Sequence, residues 1–94
     1  MIFGKKLREL REQNNLVLRK VAAKLSIDTA TLSKIERGDR FARKEHLQML
    51  ADIYNFPLAE LKTLWLADKV FGLVCNEDLA MNALKVAENE LNSF

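Results

Sequence analysis

Little in this 94-residue chain can be cross-linked, loaded with metal or threaded through a bilayer. Cys75 is the only cysteine, so no internal disulfide forms, and His46 is the only histidine, so a Cys/His zinc site is excluded. One proline and three glycines leave little for long irregular connections, and with plentiful aliphatics they predict an all-α protein with short turns. No uninterrupted apolar run approaches the roughly 18 residues of a membrane span, and the opening MIFGKKLREL lacks the long apolar stretch of a secretory leader. The expected location is the cytoplasm. Gly-rich phosphate loops, internal repeats and low-complexity tracts are missing. So are nucleophile–base patterns: Glu77-Asp78 sits where a helix start explains it, and neither a serine nor Cys75 has a histidine in pattern with it. No enzymatic activity, cofactor, metal or small-molecule ligand is expected.

What the chain does have is unevenly placed charge. The total is only +2, but residues 1–57 hold twelve Lys and Arg against seven Asp and Glu, a net of +5, whereas residues 58–94 hold three against six, a net of −3. A basic half that meets phosphate and an acidic half that meets protein would distribute charge in this way.

The stretch 18–38, LRKVAAKLSIDTATLSKIERG, organises the basic half. Leu18, Val21, Ala22 and Leu25 form one helical stripe, and Ile27, Leu32 and Ile35 supply the next, so the 3.6-residue period is interrupted once. Ser26-Ile27-Asp28 is the break. The Asp28 carboxylate can accept from the first free N–H groups of a second helix over 28–37, and Gly38 offers the left-handed residue that ends it. Two short helices joined by a tight turn make a helix-turn-helix.

Ala22, Ile27, Leu32, Ser33, Ile35, Glu36, Arg37 and Gly38 together resemble the Cro and phage-repressor (Xre-like) family of DNA-binding regulators, over about residues 4–61. The resemblance implies a five-helix, lambda repressor-like DNA-binding domain, here with a C-terminal helical extension. It implies that the second motif helix enters the major groove, with Thr29, Ala30, Ser33 and Lys34 at the base-reading positions. The chemistry suits them: methyls of Thr29 and Ala30 for thymine, the Ser33 hydroxyl for either role, and Lys34 for guanine. It also implies that Arg11 pairs with Glu36. Two positions depart from the family: Val17-Leu18 stands where Thr-Gln usually opens the first motif helix, and Ser26 stands where glycine is common in the turn. The first removes a side-chain contact to the DNA backbone, and the second costs roughly 1 kcal/mol if the site is left-handed.

Around the motif, a first helix is predicted over 3–13 with Phe3, Leu7 and Leu10 inward, closed by Asn14-Asn15. After Gly38, Phe41 is expected to anchor the loop, while Arg40, Arg43 and Lys44 lie at the start of a helix over 44–54. Cations at a helix N-terminus oppose its dipole, so an outside anion should compensate them. With Arg37 and Arg19 they form the candidate phosphate contacts. That helix turns Leu47, Leu50, Ala51 and Tyr54 to the core, and Phe56 turns inward before Pro57.

Residues 58–94 read as added helices beyond the motif domain of residues 1–57. Leu58, Leu61, Leu64, Trp65, Val70, Phe71, Val74 and Cys75 are too apolar for a helix lying on one small domain. Asn76 looks like the cap of a last helix striped by Leu79, Ala80, Ala83, Leu84, Ala87 and Leu91. The pair either enlarges the monomer's core or pairs with a second chain. Dimerisation through Leu61, Trp65, Phe71, Leu84 and Leu91 is the favoured expectation, because twofold DNA sites need two copies. The acids argue against a membrane-surface helix. Residues 33–40, 43–47 and 64–70 further resemble the controller proteins of restriction–modification systems. The expected function is thus sequence-specific regulation of transcription by a homodimer on double-stranded DNA. A competing class is an antitoxin whose C-terminal helices mask a toxin.

Overall fold

The computed structural model describes all 94 residues and has six helices and no strand. They are α1 (Ile2–Gln13), α2 (Leu18–Lys24), α3 (Thr29–Arg37), α4 (His46–Tyr54), α5 (Leu58–Val74) and α6 (Ala80–Ser93). The apolar stripes explain the assembly. Phe3, Leu7 and Leu10 of α1, Val21 and Ala22 of α2, Leu32 and Ile35 of α3, Leu47, Leu50, Ala51 and Tyr54 of α4, and Leu61 and Trp65 of α5 are buried in one core. α1 lies across α3 and α5, α2 packs on α3, and α4 on α5. Gly4 lets α1 approach the end of α3: a Cβ there would collide with the Ile35 carbonyl oxygen and lie 2.7 Å from that of Glu36.

Four of the helices stop in the same way, although glycine is scarce. Leu16 N–H donates to Arg11 O (3.0 Å), Ile27 to Ala22 O (3.1 Å), Asp39 to Lys34 O (2.9 Å) and Phe56 to Ala51 O (2.9 Å). Each of these bonds spans a residue at positive φ: Asn15 (55°), Ser26 (57°), Gly38 (81°) and Asn55 (49°). This closure satisfies carbonyls that a helix end leaves free. Asparagine tolerates the left-handed region better than other L-residues, and Ser26 is the strained member of the set. The turn therefore carries the cost expected for its missing glycine.

The chain departs from the sequence reading in four places. α4 begins at His46, not at residue 44. Tighter turns precede it, closed by His46 N–H to Arg43 O (3.0 Å) and Leu47 N–H to Lys44 O (3.1 Å), and the Ala42 carbonyl accepts from the indole Nε1–H of Trp65 (2.9 Å). Ala42 consequently anchors the loop, and Phe41, expected to do so, is 40% exposed. Leu61 and Trp65, expected at a dimer interface, are 0% and 6% exposed within the monomer. They face the same core as α4, so the near half of α5 packs with the motif helices. Finally, Asn76 does not cap the last helix: residues 76–79 are taken up by turns closed by Glu77 N–H to Val74 O (2.9 Å) and Ala80 N–H to Glu77 O (3.2 Å).

Beyond Lys69 the character changes. Val70, Phe71 and Leu73 of α5 and Leu79, Met81, Val86 and Leu91 along the α6 arm are exposed, and α6 buries no residue; Leu84 is half-buried. No helix is long and apolar enough to cross a membrane.

Candidate nucleic-acid interface

α3 is fixed from three sides. The Asp28 carboxylate accepts from Thr31 N–H at 2.7 Å and caps its first turn. Hydrogen bonding by Thr31, from side chain and backbone, holds the Asp28 carboxyl below its ordinary 3.8, and Arg40 and Lys34 add to the effect. Leu32 and Ile35 face the core, against which Ala22 of α2 is also packed. At the far end Gly38 adopts the left-handed conformation and closes the helix, where Lys34 and Arg37 complement the dipole.

The helix is also tied to α1. Arg11 Nε donates to Glu36 Oε2 (2.9 Å) and its Nη2 to Oε1 (3.1 Å), a two-pronged pair whose side chains are 17% and 5% exposed. Arg11 Nη1 donates to Leu16 O (3.1 Å), so one guanidinium joins α1, α3 and the α1–α2 turn. The hydrogen bond with Glu36 raises the Arg11 pKa against the opposing effect of burial. Beside the pair, burial pushes the Tyr54 phenol upward, with Glu36 adding to it.

What remains outward on α3 is one face. Thr29, Ala30 and Lys34 are exposed and Ser33 is half-exposed. Flanking it, Arg37, Arg40, Arg43 and Lys44 are exposed, as is Arg19 on α2. They differ in availability. Arg37 Nε is 3.3 Å from Asp39 Oδ2 and Arg43 Nη2 is 2.8 Å from Glu45 Oε1, whereas Lys34, Arg40, Lys44 and Arg19 have no ion-pair partner. Both paired arginines remain largely exposed, so an incoming phosphate can exchange for the carboxylate. At the other departure from the Xre pattern, Val17 is the N-cap of α2 and provides no side-chain hydrogen bond.

Elsewhere the surface offers little chemistry. A shallow depression of about 520 Å³ between α1 and α5 is lined by Lys6, Phe56 and Thr63 among others, away from α3. No three His, Cys, Asp or Glu side chains cluster in a way that could hold a metal ion. The groove beside α3, lined by Asp28, Thr31, Arg40, Phe41, Arg43 and His46 among others, lies between the start of α3 and the loop that follows it.

Two residues that tie distant elements together escaped the sequence reading: Asp68 and Ala42. Asp68 accepts from Ile2 N–H (3.0 Å) and Phe3 N–H (2.9 Å), across more than 60 residues of chain. Its one sequence signal is a lone acid inside an apolar helix.

Neither a curated protein nor a solved structure gives a significant match to the chain. A family profile described as a helix-turn-helix domain matches residues 2–64, which takes in α1 to α4 and the part of α5 that carries Leu61. α2, the turn at Ser26 and α3 lie within the matched residues, and the protein belongs to the helix-turn-helix domain family.

Proposed function

We propose that the protein is a sequence-specific transcriptional regulator of the Cro and phage-repressor (Xre-like) type, binding double-stranded operator DNA as a homodimer. The observation that carries this reading is the outward face of α3. Thr29, Ala30, Ser33 and Lys34 project from a helix whose other sides are capped, ion-paired and buried, with exposed cations on both flanks. A rigid helix that presents short polar and methyl groups between cations suits base edges between two phosphate backbones. Thr29, Ala30, Ser33 and Lys34 would choose the sequence, and Arg37, Arg40, Arg43, Lys44 and Arg19 would supply the salt-dependent affinity.

The homodimer is supported by the far half of α5 and by α6. Phe71 is 57% and Leu73 79% exposed, and a surplus of exposed large apolar side chains marks an interaction site. Placing it at Phe71, Leu84 and Leu91, without Leu61 and Trp65, keeps it on the acidic part of the chain, clear of phosphate. The finer assignment, control of a restriction–modification operon in the cytoplasm, rests on the resemblance of residues 33–40, 43–47 and 64–70 to controller proteins. The same exposed helices suit the antitoxin alternative, in which a toxin replaces the second copy.

Selection of bound fragments from a random duplex pool by the purified protein tests the proposal. A twofold-symmetric consensus supports a homodimeric regulator. Failure to retain any duplex at low salt overturns the reading. Sedimentation of the pure protein as a monomer that dimerises neither alone nor on DNA removes the homodimer and favours the antitoxin class.

A further inference from the structure

The cations beside α3 are carried by a loop with almost no hydrogen bonding of its own. Asp39 N–H closes on Lys34 O at its start and His46 N–H on Arg43 O at its end, but the backbone of Arg40, Phe41 and Ala42 makes no backbone–backbone bond. What holds the middle is α5. Trp65 Nε1–H donates to Ala42 O at 2.9 Å. One turn further along, Lys69 Nζ lies 4.0 Å from the centroid of the Trp65 ring and 5.5 Å from that of Phe41. An ammonium between two rings is attracted to both faces, so Lys69 ties the exposed Phe41 to the helix. Phe41 thereby has a partner although the core does not cover it.

We infer that Trp65 and Lys69 are positioning residues for the phosphate-contacting loop: they hold Arg40, Arg43 and Lys44 in place beside α3 before DNA arrives. The inference rests on the DNA-binding reading above and adds residues to it that touch no base or phosphate. A loop pinned at Phe41 and Ala42 loses less freedom on binding than one free to wander, and that saving appears as affinity. Because phosphate contacts carry no sequence information, the gain applies to every duplex equally.

The test is the binding of wild type and variants to the selected operator and to an unrelated duplex, as a function of salt, with circular dichroism to establish folding. Phe41→Leu and Lys69→Met remove the surface contact from either side at exposed positions, without entering the core. Trp65→Phe keeps a ring and removes the N–H donor. Each should weaken binding to both duplexes alike, by about three- to tenfold, with the salt slope kept, since the phosphate contacts still form in the complex. Lys69→Arg, whose guanidinium also stacks on rings, should bind as wild type. The double variant Phe41→Leu/Lys69→Met should be no weaker than Lys69→Met alone, since the two act through one contact. Wild-type affinity in Phe41→Leu would overturn the inference. So would weakening in Lys69→Met alone, since Lys69 would then meet phosphate itself. If Trp65→Phe fails to fold, the surface pair decides. Wild type that binds no duplex is a different failure, that of the DNA-binding reading.

Discussion

Asp68 Oδ2 accepts a hydrogen bond from the backbone N–H of Phe3 at 2.9 Å, and Oδ1 accepts from Ile2 at 3.0 Å. The start of α1 has no side-chain cap from Met1, so a carboxylate from α5 does the work that a local Ser, Thr or Asp does elsewhere. Asp68→Ala should destabilise the fold by about 2–3 kcal/mol, because two donors lose a charged acceptor in a buried place. Asp68→Asn, which keeps one carbonyl oxygen, should cost about half as much. Urea unfolding monitored by circular dichroism checks both.

The pair between Arg11 and Glu36 should show the asymmetry of partly buried charges. Arg11→Ala strands the Glu36 carboxylate and should cost about 3 kcal/mol. The double replacement Arg11→Met/Glu36→Leu should recover much of that loss, since no charge is left uncompensated. A double-mutant cycle of unfolding free energies measures the coupling.

Ser26→Gly should stabilise the protein by about 1 kcal/mol, because glycine takes a φ of 57° without steric cost. Asn15→Gly and Asn55→Gly should gain less, since asparagine already tolerates that region. Unchanged or lower denaturation midpoints in Ser26→Gly would show that the serine side chain contributes more than its backbone costs.

Acid should loosen α3. The Asp28 carboxyl ionises at lower pH in the folded chain than its ordinary 3.8, so its ionised form favours the native state. That contribution is complete above the unfolded value and disappears as pH falls through the folded one. Asp28→Asn retains a capping side chain without the charge. Wild type should therefore hold its stability advantage over Asp28→Asn above the ordinary 3.8 and lose it as pH falls below that, as read from thermal midpoints on either side.

Binding variants separate the roles on the proposed interface. Lys34→Ala should change base preference at one or two operator positions, at about 1–3 kcal/mol for a lost good contact. Arg43→Ala should weaken binding to all sequences alike and flatten the salt slope. Leu73→Asp, on the exposed part of α5, should yield monomers in sedimentation while leaving the fold intact. An unchanged ranking of operator variants in Lys34→Ala would discredit the proposed docking of α3.

How much of this was legible beforehand follows the range of the interactions. The stripes of α1 to α4, the Asp28 cap and the Gly38 stop are local, and period and residue type reveal them; the left-handed geometry at Ser26 is suggested only by the family pattern, which commonly has glycine there. Arg11 and Glu36 were suggested by the family pattern, because their spacing of 25 residues has no local signature. The core position of Trp65, the burial of Ala42 in place of Phe41 and the service of Asp68 to α1 depend on how α5 meets elements far away in sequence. An apolar helix announces that it is covered, but not by what. Hence the near half of α5, which covers its own domain, and the far half, which does not, read alike in sequence.

α6 is a helix of 14 residues with nothing buried, and isolated helices of that length are marginal in water. In the proposed homodimer the second copy would also supply the energy that keeps it wound. The last fifth of the chain would then order only in company, and its amide protons would exchange with solvent faster as the protein is diluted. Concentration, more than temperature or denaturant, would govern the shape of that arm.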